Sequence, residues 1–360
     1  MKISHVTIEN FRNIESLSLD FTDSVGRVRA VSLLVGPNTS GKTTILDALS
    51  LGVGIVTELF RPQFTLKPRN IVRRGALSTR IISQVYFSED EIAATRRLYE
   101  LAELPPSDVP DAGEVQVTWE YPSEKYKYGE IACAPYKGWH LFKGRAQVAR
   151  LLSTGRVNWN WFERVGGLFI FNQQRTGMGK TIPREVWNII SRESERDYDE
   201  QHTSDPRTIL LSLAVKSMLP PMNADSLDEF KQIQQRYAEI CAPRRIEGAV
   251  RNELGEPELL FTDGRYEYRY GGSSSGEQML LLFLIRMVTE HIHQSIVLVD
   301  EIELHQHPLW QRRLLYLLPR MGTNNQIIAT THSSYLRDAL PPEAIISLGQ
   351  LGDQVRGREV

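Results

Sequence analysis

Two cysteines in 360 residues, Cys133 and Cys241, are too few and too far apart for a disulfide framework, and neither sits in a CxxC or Cys/His spacing that would hold zinc. Such sparing use of cysteine fits a reducing cytoplasm, the expected compartment. Long apolar runs are missing too. The most apolar stretch, MLLLFLI, falls well short of the roughly 20 residues a membrane helix needs. The opening MKISHVTIENF alternates like a strand and has no charged leader before a leucine-rich segment, so neither a signal peptide nor a membrane partner is expected. There is no charge excess: 42 basic against 44 acidic side chains leave a formal net charge of −2, and any nucleic-acid contact must come from local patches. Internal repeats, low-complexity tracts and heptads long enough for a coiled-coil arm are lacking as well. What remains, 41% hydrophobic, suffices for a full core in one large or two modest domains.

KISHVTI, LSLDF and RAVSLLV read as three strands, the last running into GPNTSGKTT, after which TTILDALSLGVGIV has apolar positions at helical spacing. Residues 36 to 43 (Gly36, Pro37, Asn38, Thr39, Ser40, Gly41, Lys42, Thr43) match GxxxxGKS/T at every fixed position, and strand, glycine loop and helix are the context that pattern requires. Glycine lets backbone N–H groups approach phosphate oxygens, and the helix start adds a favourable dipole. Lys42 is then expected at the β and γ phosphates, Thr43 at Mg²⁺, and Thr44 close behind. A second Gly-Lys-Thr at 179 to 181 is a decoy, because Gln174 stands where the pattern needs glycine. IISQVYF, VQVTWEY and IACAPY read as further strands, the last two joined by the turn-rich SEKYKYGE as an antiparallel hairpin. From about 182 to 250 the pattern turns helical, with SLDEFKQIQQRYAEI opening on Ser226 and Glu229 as a capping box. LLFTDGRYEYRY is a hairpin turning at Asp263 and Gly264, and the remainder alternates helix and strand.

In SIVLVDEIELHQHP a buried strand ends on two acids, suited to hold Mg²⁺ through Asp300 and to activate water through Glu301. QIIATTHSS is a similar strand ending at His332, which would face the same crevice if the two strands lie side by side in a parallel sheet. The pairs His291/His293 and His305/His307 have no third ligand spaced to join them, so no transition-metal site is expected. GGSSSGEQ precedes an apolar helix and offers hydroxyls, free N–H groups and a helix start. One reading is a well-capped core helix. The other is an anion site, and since the chain already holds one phosphate cradle, it would close on the nucleotide of a second subunit.

Taken together, the phosphate loop, SSGE, the apolar strand ending in Asp-Glu, and TTH resemble the ABC-type ATPase heads of the SMC, RecF and OLD group. DEIELHQHPLWQ is similar to the DEPExxLHPxxQ pattern of OLD-like stand-alone ATPases of phage defence or DNA repair. ISHVTIENFRNIESLSLDF resembles their first strands, which implies that Arg12 and Asn13 lie near the nucleotide. The resemblance covers residues 1 to about 60 and 255 to 350 well and the middle poorly. It implies an α/β ABC-ATPase head with a mixed central sheet, an antiparallel β subdomain and a helical insertion lobe. The expected parts are residues 1–180 as the N-terminal portion of the head, 181–255 as the helical lobe and 256–360 as the C-terminal portion. It further implies ATP and Mg²⁺ as cofactors and a head-to-tail homodimer, or higher oligomer, with two nucleotides between the subunits. Carried over residue by residue, Lys42 and Glu301 become catalytic, His332 the catalytic switch histidine, and Ser274 and Gly276 the signature that meets the partner's phosphate loop, with Glu277 also at the nucleotide. Gln173 or Gln174 supplies the glutamine expected at the nucleotide and at Mg²⁺, a choice the sequence leaves open. Ser273 stands where leucine is usual and Ile302 where proline is frequent, and neither change removes a catalytic group. The sequence ends at Val360, just past the last motif, so no TOPRIM nuclease is expected on this chain.

The resemblance therefore implies an ATP-hydrolysing, dimerising switch, the ATPase subunit of a bacterial anti-phage defence system acting on a separately encoded nuclease or toxin. Alternatives are a RecF-like repair clamp that holds DNA directly and an ATP-dependent oligomeric scaffold with negligible turnover. A transporter subunit is disfavoured by the antiparallel opening strands. Two basic runs could meet a phosphate backbone: Arg61, Lys67, Arg69, Arg73, Arg74 and Arg80, then Lys137, Lys143, Arg145, Arg150 and Arg156 with Trp139.

Overall fold

The computed structural model describes residues 1–57, 68–104, 113–125, 129–134, 139–172, 206–218, 229–303 and 306–349. Three sheets organise them. The first is antiparallel, in the order β2 (Ile14–Asp20), β1 (Lys2–Phe11), β4 (Thr79–Tyr86), β5 (Glu114–Tyr121), β6 (Glu130–Ala134). Its strands alternate buried and less buried residues, as a sheet with one face on a core must: in β5, Val115, Val117, Trp119 and Tyr121 turn inward. The second sheet is wholly parallel in its described pairings and runs β13 (Ile345–Ser347), β3 (Val31–Val35), β12 (Gln326–Thr331), β11 (Ile296–Val299), β7 (Leu168–Phe171). Strands β11 and β12 are buried throughout, because both faces of this sheet are covered. Alternate residues serve opposite cores: Ile296 and Leu298 pack into the core shared with the antiparallel sheet, Val297 and Val299 into the core formed with the C-terminal helices. The third sheet is the antiparallel trio β8 (Arg245–Arg251), β9 (Pro257–Thr262), β10 (Glu267–Arg269).

The helix Lys42–Gly54 lies between the first two sheets with nearly all its residues buried. Its approach to β4 is so close at Gly52 that a Cβ there would sit 2.8 Å from the Ile81 side chain. On the far side of the parallel sheet, helices Pro206–Ser217, Glu229–Cys241, Ser275–Thr289 and Pro308–Leu317 share the second core. A third, smaller core joins helix Glu89–Leu101 to helix Gly144–Leu152. Neither helix is singled out by the sequence pattern. The first is nonetheless well specified: Ser88 accepts from the Glu91 N–H at 3.2 Å, and Glu89, Asp90 and Glu91 occupy its first turn. No helix among the described residues is long and apolar enough to cross a membrane.

The expected hairpin at Asp263 and Gly264 forms, Gly264 adopting φ +93° while Asp263 Oδ1 accepts the N–H groups of Arg265 and Tyr266. Phe230, Ile233, Tyr237 and Ile240 are buried along one helix face as their spacing requires, although Ser226, its expected cap, lies outside the described residues. One stretch differs from expectation. Residues 245 to 251, read as the end of a helical region, are strand β8 paired to β9 in antiparallel register from Arg245↔Thr262 to Arg251↔Pro257. Pro243 lacks the N–H that would continue the preceding helix, and β9 supplies the partner that a local pattern cannot reveal.

Candidate nucleotide site

The parallel sheet brings three loops to one edge. Strand β3 ends at Val35 and opens into the phosphate loop, β11 ends at Val299 before Asp300 and Glu301, and β12 ends at Thr331 before His332. Because β12 lies between β3 and β11, their C-terminal ends stand side by side, with Thr331 level with Val35 and Ala329 level with Val299.

In the phosphate loop, Thr39 and Gly41 hold left-handed backbone at φ +70° and +86°. Gly36 cannot be larger: a Cβ would meet Ser40 Oγ at 2.6 Å and the Leu348 carbonyl at 2.9 Å. Lys42, only 6% exposed, donates to the loop's own carbonyls at Gly36 (2.9 Å) and Pro37 (2.8 Å). Burial pulls its ammonium below the ordinary lysine value, opposed by the nearby carboxylates of Glu301, Asp300 and Glu303. Thr43 Oγ1 donates toward both oxygens of Asp300, at 3.2 and 3.0 Å.

The acidic strand end is braced from β12. Thr330 Oγ1 donates to Asp300 Oδ1 at 2.6 Å and accepts the Glu301 N–H at 2.7 Å. Glu301 itself takes a left-handed φ of +46°, a costly conformation for a residue with a Cβ and one that concentrates at functional sites. Its carboxylate lies 3.9 Å from His332 Nε2, with both side chains about one third exposed or less. The His332 N–H donates to Glu303, and the Ser333 hydroxyl donates to Gln311 Oε1 at 2.7 Å, while Gln311 Nε2 donates to the Gln306 carbonyl at 2.9 Å. The residues after the acidic pair thus hold the His332 N–H and the Ser333 hydroxyl.

Arg12 reaches this region from the β1–β2 turn. With φ +51° and its N–H on the Ile71 carbonyl, it donates to Asp47 at 2.6 Å, on the helix that begins with Lys42. Burial raises the Asp47 carboxyl, and Asp300 adds to this, against the pull of Arg12. Asn13 is exposed at the turn. Gln173 and Gln174 lie outside the described residues; the chain reaches that point from β7, where the Phe171 carbonyl accepts the Asp300 N–H at 2.8 Å.

The serine loop enters a well-capped helix. Ser274 caps helix Ser275–Thr289 in a full capping box with Glu277, the Ser274 N–H donating to Glu277 Oε2 at 2.9 Å. Gly276 is buried, whereas Ser274 and Ser275 are exposed. Glu277 is 2% exposed and its carboxylate is occupied: Tyr237 (2.7 Å) and Tyr268 (2.6 Å) donate to Oε1, and Arg244 pairs with Oε2 at 2.7 Å. Burial alone would raise this carboxyl, but the donors at Tyr268, Ser274 and Tyr237 outweigh it and leave it below the ordinary value. Expected among nucleotide contacts, Glu277 instead points inward and shapes the loop, since its lone pairs are spent on four internal donors. Arg244 also lies over the Trp310 ring at 5.2 Å, tying this loop to helix Pro308–Leu317.

Of the basic runs, Arg61, Lys67 and Lys137 are outside the described residues. Arg73 pairs with Glu15, Arg80 with Glu120 and Arg156 with Glu103. Arg145 is no surface residue: it is 5% exposed and donates to the carbonyls of Phe162, Val165, Glu290 and His291, with burial lowering its pKa to about 10. His291 is packed against Trp159 and Phe162, and His293 Nδ1 accepts the Thr323 N–H. The motifs do not reach Asp47; Thr330 opens the TTH stretch and Gln311 closes DEIELHQHPLWQ, but neither motif reveals the bonds these two residues make.

Two observations suit this edge to a nucleotide with Mg²⁺. Thr43 and Asp300 offer hard oxygen donors only, and buried Ser40 Oγ has no hydrogen-bond partner among the described residues.

Comparison with known proteins gives the family and the fold. Residues 1–52 match the family described as AAA ATPase domain, and residues 177–338 that described as AAA domain, putative AbiEii toxin, Type IV TA system. The DNA replication and repair protein RecF of Pseudoalteromonas translucida (strain TAC 125) is 30% identical over 331 residues, covering 84% of each chain. Septu protein PtuA of Bacillus thuringiensis is 40% identical over 57 residues, 16% of this chain and 14% of that protein. The retron Ec83 probable ATPase of Escherichia coli is 53% identical over 39 residues, 11% of this chain and 7% of that one. Among solved structures, an SMC head bound to the C-terminal winged-helix domain of ScpA superposes with a TM-score of 0.52 at 14% identity, covering 96% of this chain and 94% of that one, a likeness of fold. The chain belongs to the ABC-type ATPases of the SMC, RecF and OLD group. It is an ATPase of that group, and the family binds nucleotide.

Proposed function

We propose that this protein is an ATP-driven dimerising switch that governs a separately encoded effector, a nuclease or toxin, in an anti-phage defence system. The single observation that carries the switch reading is the cluster at the sheet edge, where Thr43, Asp300, Thr330, Glu301 and His332 are joined through successive contacts. In this reading the phosphate-loop N–H groups and Lys42 hold the β and γ phosphates. Thr43 and Asp300 would hold Mg²⁺, whose charge offsets that developing on the transferred phosphoryl group. Glu301 orients water and takes its proton, and His332 holds the γ-phosphate side of the site. Arg12, with Asp47, lies at the flank of the nucleotide, and Gln173 or Gln174 completes its surroundings. Ser274 and Gly276 face the phosphate loop of a second subunit. Supporting this trans arrangement, no described hydrogen bond joins residues 273–277 to residues 36–43, and the exposed start of helix Ser275–Thr289 is free to meet an anion. The short matches to Septu PtuA and to a retron ATPase support the defence setting.

A second reading, a RecF-like clamp on DNA, is favoured by the length of the RecF match. Against direct DNA contact, Arg145 is buried on backbone carbonyls, and the exposed Arg73, Arg80 and Arg156 each face a carboxylate that partly offsets their charge. The test is the solution mass of the Glu301→Gln protein with and without ATP and Mg²⁺, repeated with Ser274→Arg added. Association that requires ATP and is lost with the arginine supports the switch; a mass indifferent to both refutes the shared site. DNA-stimulated turnover would instead favour the clamp, and wild-type turnover in Glu301→Gln would remove the assigned base.

A further inference from the structure

We propose that Thr330 is a positioning residue for hydrolysis, its one hydroxyl setting both the Asp300 carboxylate and the backbone turn that aims Glu301. The inference rests on the roles given above to Asp300 and Glu301 and adds the group that holds them in register.

Thr330 is fully buried in β12, between the phosphate-loop strand and the acidic strand. A hydroxyl has one proton to give and lone pairs to receive. Here the proton goes to Asp300 Oδ1 at 2.6 Å, and a lone pair receives the Glu301 N–H at 2.7 Å. The direction is fixed, because an amide N–H can only donate. The Thr330 carbonyl also accepts the Ile302 N–H at 3.1 Å, so one residue of β12 fastens three successive residues of the acidic loop. The left-handed turn at Glu301, φ +46°, lies between the Glu301 N–H and Ile302 N–H bonds, both of which end on Thr330. Such a conformation persists only where its surroundings over-determine it, and Thr330 is the neighbour that holds its N–H. On the other side, Asp300 meets Thr43 of the phosphate loop at 3.0 Å through Oδ2. The hydroxyl therefore links the group suited to Mg²⁺ with the group suited to water, while touching neither ligand itself.

The side-chain type follows from this double duty. Branching at Cβ restricts χ1 and keeps the hydroxyl aimed, as serine would do less firmly, and valine would fill the same volume with neither donor nor acceptor. Sequence reading includes Thr330 in the TTH stretch but gives it no role, because a threonine inside an apolar strand is unremarkable by propensity.

The experiment compares Thr330→Val, Thr330→Ser and Thr330→Ala with wild type in kcat and KM for ATP, in equilibrium affinity for a fluorescent ATP analogue across a Mg²⁺ titration, and in Tm. Thr330→Val is expected to lower kcat about 100-fold, the size seen when an aligned polar group at a reacting centre is lost. Nucleotide affinity without Mg²⁺ should stay within about threefold, since the phosphate loop is untouched, and half-saturation by Mg²⁺ should move upward. Thr330→Ser should restore most of the rate. Joined to Glu301→Gln at saturating Mg²⁺, Thr330→Val should add little further to the loss of turnover, because the part of its effect that remains there passes through Glu301. Should the valine protein not fold, Thr330→Ala reads the same separation. Wild-type kcat in a folded valine or alanine variant overturns the proposal, as does a loss of affinity equal to the loss of rate. If Glu301→Gln itself turns over normally, the assigned base is wrong, a failure recognisable apart from that of Thr330.

Discussion

Replacing Glu277 by glutamine tests how the serine loop is held. The carboxylate accepts from four donors, two on each oxygen. An amide keeps one acceptor oxygen, and its best placement leaves that oxygen toward the Ser274 N–H and Arg244, with the NH₂ toward Tyr237 and Tyr268, whose hydroxyls can rotate to accept. All four contacts then survive in kind but lose the assistance of the charge. A hydrogen bond to a charged partner contributes about 1.5–3 kcal/mol against about 1 for a neutral one. The Arg244 side chain is 36% exposed, so its pairing is screened and most of its share is discounted. The expected destabilisation is about 2 kcal/mol, read as a fall of a few degrees in Tm at neutral pH. Its pH dependence has a definite sign. Because the folded carboxyl lies below its ordinary value of 4.5, the stability it contributes is present above that value and lost as pH falls through the folded pKa. Thermal unfolding of both proteins from pH 7 downward should show curves that converge below about 4.5. Equal Tm at neutral pH, or a gap that widens on acidification, refutes the view that a charged Glu277 anchors this loop.

Lys42→Ala removes the ammonium that now sits on the Gly36 and Pro37 carbonyls. Affinity for a fluorescent ATP analogue should fall at least about 100-fold, and binding within threefold of wild type would contradict the assigned role of the loop. Burial beside Arg145 lowers His291 from 6.5 to about 4, even with Glu229 3.6 Å away. The unfolded chain therefore takes up a proton that the folded ring refuses, and stability should decline as pH falls from 6.5 toward 4, by at most about 3.5 kcal/mol for this ring at ~1.4 kcal/mol per pH unit. Burial lowers His293 to about 4 as well, so urea midpoints between pH 7 and 4.5 should carry the slope of both rings and His291→Gln should remove roughly half of it; an unchanged slope would place the acid sensitivity elsewhere.

Elements that carry their own signal were legible in the sequence. The phosphate loop, the Asp300-Glu301 strand end and the strand before His332 combine special residues with an apolar run, and the chain order of β3, β11 and β12 lets a parallel sheet bring them together. What escaped notice depends on partners distant in the chain. β8 is a strand because β9 pairs with it, and Arg145 looked like part of a basic surface run because its four carbonyl acceptors, at Phe162, Val165, Glu290 and His291, leave no mark on the residues beside it. Asp47 is silent for the same reason, and Thr330, though it opens TTH, shows nothing of its role there: the importance of both lies in what faces them across the fold, at Arg12, Asp300 and Glu301. Glu277 was read as a ligand contact from its place in the motif, whereas Tyr237 and Tyr268, which turn it inward, come from other elements.

The bridge made by Arg244 has a consequence for assembly. It joins Glu277 of the serine loop to the Trp310 ring, and Arg313, three residues further along that same helix, is fastened to the carbonyls of Ile240 and Ala242 just upstream of Arg244. Two exposed segments that would otherwise wander separately are thereby locked to one frame. A surface arriving at this face has one set of rotations and translations to arrest, and little internal disorder to quench, so less of its gross contact energy is consumed in ordering and more is left as net affinity.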